Sequence, residues 1–187
     1  MTFGRMTIEA AQRDVREAHL CGATGMLVSG TLWIASGLVA LTVSPRAAMI
    51  AITVGGMFIF PLSMLVTRLL GRSALLLAYN PFGALARESA FIIPRCLPLV
   101  FAAALAHAEW FFPALMVLVG AHYLPFATLY GMRLYHVLAL VLIVLGLVLG
   151  LGGAPFAAGA FIGGAVEIAF VPFALKLAQR TPAAQAG

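Results

Sequence analysis

A chain of 187 residues in which 63% of side chains are apolar and 9% charged has too little charge for a soluble domain, where about a quarter of residues are charged. Six bilayer crossings of about 20 apolar residues each would use roughly two thirds of it and leave no separate soluble domain. The net charge of +5 is scattered along the chain with no exposed aromatic platform, which argues against nucleic acid as a partner and for a bias of Arg toward one face of a membrane.

Residues 1–19 are predicted to be a cytoplasmic amphipathic lead-in. Thr7 is placed to cap a helix that puts Ile8, Ala11, Val15 and Ala18 on one face and Glu9 one turn from Arg13. The helix is read either as a solvated lead-in continuous with the first span or as a helix lying on the membrane surface. Its mixed charges, Arg5, Arg13 and Arg16 with Glu9, Asp14 and Glu17, predict no cleavable signal peptide.

A six-span transmembrane domain is predicted over 20–177, followed by a cytoplasmic tail over 178–187. The first span, 20–43, carries a stripe of small residues (Cys21, Gly25, Ser29, Ser36, Ala40) that lets another helix approach closely. It closes at Ser44-Pro45, where proline suits the first turn of the next helix. The second span, 47–70, contains Gly55-Gly56 and Pro61 and leaves the membrane at Arg68 and Arg72. Asn80-Pro81 opens the third, 82–106, the least regular of the six, because Pro94 and Pro98 should kink or partly unwind it beside Arg95.

After a tight turn at His107 to Glu109 comes the fourth span, 110–130, with His122, Tyr123 and Pro125. The fifth, 132–150, is nearly featureless and ends in Gly146-x-x-x-Gly150. The sixth, 156–177, begins with Gly159-x-x-x-Gly163 and holds Glu167. These glycines permit tight packing, within one protomer by preference or across a homodimer. Cys21 and Cys96 are expected to stay reduced on the cytoplasmic half.

Orientation follows from the cations. Arg5, Arg13, Arg16, Arg68, Arg72, Arg87, Arg133, Lys176 and Arg180 fall on one side of the predicted spans and Arg46 alone on the other. That asymmetry predicts an all-α polytopic bundle with both ends in the cytoplasm. Its composition, poor in Lys and Asn and rich in Ala, Gly and Leu, suggests a bacterial protein of the inner membrane.

Three spans carry one ionisable group each at a similar depth. At about 1.5 Å of rise per residue, Arg95, His122 and Glu167 each lie about 18 Å from the outer edge, near the middle of an apolar core of about 30 Å. Charges at that depth should face one another or a wet cavity. The expectation is therefore a midplane binding site of Arg95, His122 and Glu167, with Tyr123 beside it, for a small polar or ionic solute. Arg95 would bind an anionic group or neutralise Glu167, and Glu167 would bind a cation or proton. The alternative is that Arg95 and Glu167 merely lock helices together, with His122 satisfied by a backbone carbonyl.

No metal site is expected: His107 and Glu109 lack paired ligand spacing, and His122 lies too far along its helix. The chain has no H-E-x-x-H, no Gly-x-Ser-x-Gly, no P-loop, no dinucleotide fingerprint and no paired Cys-x-x-Cys, so neither a cofactor nor an enzymatic reaction is specified. A small transporter or channel is the preferred reading. A non-catalytic membrane scaffold or accessory subunit comes second and an intramembrane enzyme third.

The run Gly120-Ala121-His122-Tyr123-Leu124-Pro125-Phe126, with Leu129-Tyr130-Gly131-Met132, the segment Gly55-Gly56-Met57-Phe58-Ile59-Phe60-Pro61-Leu62-Ser63 and Asn80-Pro81 resemble those of a small family of bacterial multi-pass membrane proteins with no assigned activity. The resemblance covers most of the membrane region and implies no catalytic residue.

Overall fold

The computed structural model describes residues 6–180, so Arg5 and residues 181–187 of the predicted tail lie outside the described residues. The described chain is all-helical: α1 (Ile8–His19), a 3-10 turn (Leu20–Gly22), α2 (Ala23–Thr42), α3 (Pro45–Leu69), α4 (Gly83–Ala90), α5 (Ile92–Ala106), a second 3-10 turn (Ala108–Trp110), α6 (Phe111–Tyr130), α7 (Leu134–Leu151) and α8 (Phe156–Arg180). Six of its helical stretches are long and apolar enough to cross a membrane; five match the predicted spans to within a few residues, and the first, Ile8–Thr42, takes in the predicted lead-in as well.

Local signals set several boundaries. The Thr7 hydroxyl accepts from Ala10 N–H at 3.2 Å and opens α1. Ser44 accepts from Ala47 N–H at 3.1 Å, with Pro45 in the first turn of α3, where its missing N–H leaves no bond unmade. The third crossing is broken at Phe91 into α4 and α5. Pro94 has no N–H for the Ala90 carbonyl, so the helical ladder lapses there and restarts one residue later.

The entry to the first crossing differs from the reading of a lead-in continuous with the span. Leu20, Cys21 and Gly22 all have positive φ, at 49°, 51° and 76°, so the helix breaks between α1 and α2. Helix α1 turns back against the bundle and buries Ala11, Val15 and Ala18. Two non-glycine residues in the left-handed region are a strained arrangement that surrounding contacts must hold. Tyr135 supplies one such contact, donating to the Cys21 carbonyl at 2.6 Å. Its hydroxyl occupies the space that a Cβ on Gly22 would need.

Inside a bilayer the lipid is as apolar as the side chains, so helices associate through close packing and polar contacts. The tightest seams here are α6 on α7 and α2 on α8, with α3 laid on α2. A Cβ on Gly164 would stand 2.7 Å from the Gly30 carbonyl oxygen, and one on Gly30 2.9 Å from that of Gly164. Gly146 meets the Pro113 carbonyl in the same way, and Gly163 lies under the Trp33 ring. The small-residue positions thus pack within one protomer. Phe111, Phe112, Met116, Leu138 and Leu142 fill the centre, while α3 leaves most of its surface outward. Its main packing is on α2, with a smaller contact on α1.

Candidate functional site

The α2–α8 crossing positions Glu167. Because Gly30 has no side chain, the Glu167 Cβ can sit where a Cβ on Gly30 would be only 3.3 Å away. The carboxyl is thereby carried into the bundle, 1% exposed. From α6, the buried Tyr123 hydroxyl donates to Glu167 Oε1 at 2.6 Å. The Ser29 hydroxyl of α2 adjoins the same carboxyl. Glu167 Oε2 nevertheless ends buried without a completed hydrogen bond.

His122 precedes Tyr123 on α6 and points toward α4. Its ring packs edge-on against Phe126, centroids 4.8 Å apart, and reaches the backbone of Ser89. Its Nδ1 is buried without a partner, as is the Thr53 hydroxyl of α3.

These groups line one cavity of about 320 Å³ whose wall draws on every helix except α7. At 1.5 Å per residue, Glu167 lies about 16 Å along α8 from Phe156 and Tyr123 about 18 Å along α6 from Phe111, so the cavity occupies the middle of the crossings. The cavity continues past Tyr130 to Val15 and His19 of α1. Helix α1 therefore forms one end of it. Most of the wall is Met, Leu, Ile, Val and aromatic side chains, with the polar groups spaced among them.

Cross-links from α1 hold that end in place. Arg16 Nη1 donates to the Tyr130 carbonyl at 2.6 Å and Gln12 Nε2 to that of Thr128 at 2.8 Å. Both bond carbonyls in the last turn of α6, where a cation such as Arg16 is also favoured by the helix dipole. Asp14 Oδ2 accepts from Asn80 Nδ2 at 2.7 Å and from Leu77 N–H at 3.0 Å. Asn80 Oδ1 in turn accepts from Phe82 N–H at 2.9 Å.

Of the four residues expected at the site, the structure brings together Glu167, Tyr123 and His122 on one cavity and leaves out Arg95. That side chain is exposed, with its guanidinium carbon 5.5 Å from the centre of the Phe91 ring. The expected Arg95–Glu167 pair is not formed; among the described residues the ion pair present is His107–Glu109, at 3.6 Å in the turn before α6. The reason is helical phase. Ile93, Pro94 and Leu97 face the cavity, and at 3.6 residues per turn Arg95 is directed about 150° away from them.

Sequence reasoning missed Trp33, Thr53 and Phe60 on the wall and the Asp14–Asn80 contact. Trp33 was within reach: it lies one turn after Ser29 on the face of the small-residue stripe. Among the described residues no group of three or more His, Cys, Asp or Glu side chains is arranged to hold a metal ion.

No curated protein and no solved structure matches the chain. One family model does, over residues 8–176, which takes in α1 as well as every crossing. The chain belongs to the DUF7010 family, a family of unknown function.

Proposed function

We propose that this protein is a small bacterial inner-membrane transporter or channel whose solute site is the cavity lined by Glu167, Tyr123 and His122. One observation carries the reading: the buried carboxyl of Glu167 and the imidazole of His122 share the wall of one cavity, and each keeps one atom, Oε2 and Nδ1, whose hydrogen bond is not completed among the described residues. Each such bond left unmade costs about 1 to 3 kcal/mol. Unmade bonds beside a cavity are what a bound solute completes. An intramembrane ionisable residue is in addition a functional position by default.

Proteoliposomes containing the purified chain test the proposal, with uptake followed for labelled representatives of amines, quaternary ammonium ions, amino acids, sugars and carboxylates. Uptake of at least one class, abolished by Glu167→Gln, is the expected result. No uptake of any class, with another membrane protein co-purifying in stable ratio, would replace it with the accessory-subunit role.

A further inference from the structure

Resting on the reading of the cavity as a solute site, we infer that its ligand is an organic cation with an apolar or aromatic body, whose charged nitrogen sits between the Glu167 carboxylate and the surrounding aromatic rings.

The charge pattern selects the sign. Glu167 is the one carboxyl on the cavity wall, and no Lys or Arg stands there among the described residues. Arg95, the cation that would have served an anionic solute, points elsewhere. An anion entering the cavity would meet the Glu167 carboxyl with no Lys or Arg beside it, whereas a cation finds carboxyl oxygens held only by the Tyr123 and Ser29 hydroxyls, with Oε2 short of a completed bond.

The wall selects the kind of cation. An inorganic ion needs oxygen ligands on most sides to replace its water. Here Met26, Ile52, Leu115 and Val119 occupy much of the surface, and among the described residues no group of three or more His, Cys, Asp or Glu is assembled to hold a metal. Trp33, Phe60, Tyr123, Phe126 and Tyr130 also line it, and aromatic faces attract ammonium groups, most strongly where water is excluded. An alkyl or aryl ammonium ion suits both parts, its nitrogen toward Glu167 and its body against the apolar wall. Between α3 and α5 the cavity wall is formed by Gly56, Met57 and Phe60 on one side and Ile93 and Leu97 on the other. That stretch is apolar, suiting a ligand with an oily body.

Equilibrium dialysis of tritiated benzyltrimethylammonium against the full chain in nanodiscs of zwitterionic lipid is the test, with benzenesulfonate and sodium as competitors. Saturable binding at one site per chain is expected, at least tenfold weaker in Glu167→Gln and a few-fold weaker in Phe126→Leu, and unaffected by either competitor. If the Glu167→Gln variant fails to fold, the wild-type chain answers through modification of Glu167 by a hydrophobic carbodiimide, which saturating benzyltrimethylammonium should slow. Equal binding by wild type and a folded Glu167→Gln, tighter binding of benzenesulfonate, or no protection of Glu167 would overturn the inference. The two readings fail separately. Glu167-dependent binding of the cation without its passage into proteoliposomes would remove transport and keep the ligand class, while Glu167-dependent uptake of sugars or carboxylates with no cation binding would do the reverse.

Discussion

The Tyr123 hydroxyl and the Glu167 carboxyl, 2.6 Å apart, join α6 to α8 with both side chains buried. Tyr123→Phe leaves the carboxyl with one bond fewer, and Glu167→Leu leaves the phenol with none, so each should destabilise the protein by about 1 to 3 kcal/mol. The double variant should be less damaged than the sum of the two, by about 1 kcal/mol. Thermal unfolding in detergent measures all three, and strictly additive losses would mean that the hydrogen bond contributes nothing of its own.

Arg95 gives the opposite expectation. With its guanidinium over Phe91 and outside the cavity, it shares no partner with Glu167. The effects of Arg95→Met and Glu167→Leu should therefore add within about 0.5 kcal/mol. A double variant more stable than Glu167→Leu alone would restore the ion pair that the sequence suggested.

Two glycines separate backbone packing from helix propensity. A side chain at Gly164 would press on the Gly30 carbonyl, which cannot retreat without moving α2, whereas nothing stands within 4 Å of a Cβ on Gly56. Gly164→Val should cost about 1 to 3 kcal/mol through overpacking, and Gly56→Ala should stabilise α3 by up to about 1 kcal/mol. Melting curves showing equal tolerance at both positions would contradict the close α2–α8 crossing.

The Arg asymmetry makes a claim about orientation that fusions can read. A periplasm-active reporter placed after Ala106 or Gly152 should be active, and one placed in the Arg72 connector should be silent. The reverse pattern would invert the bundle and put α1 on the outer face.

Much of this architecture was legible because hydropathy and capping are local. Thr7, Ser44 and Pro45 mark helix starts by chemistry confined to a few neighbouring residues, and each apolar run states its own length. Height along each helix was legible for the same reason, since counting residues from a turn puts His122 and Glu167 at similar heights, and both line the one cavity. Azimuth was not. Whether a side chain at the right depth faces the cavity depends on helical phase, and for Arg95 the break at Phe91 reset that phase. The Asp14–Asn80 contact was equally hidden, because neither residue's neighbours in sequence require the other.

The docking of α1 also constrains how the protein is assembled. Asp14 finds its partners at Leu77 and Asn80, while Gln12 and Arg16 find theirs at Thr128 and Tyr130. Leu77 and Asn80 are made before the third crossing and Thr128 and Tyr130 only at the end of the fourth, so α1 can be tethered early through Asp14 but completes its docking only once α6 is made. The strained residues Leu20 and Cys21 need not adopt their final backbone until then, because Tyr135, which holds them, emerges later still. Closure of the cavity's α1 end therefore waits on α6 and Tyr135, and a chain stalled before Thr128 would hold α1 through Asp14 and Asn80 but without the clasps of Gln12 and Arg16.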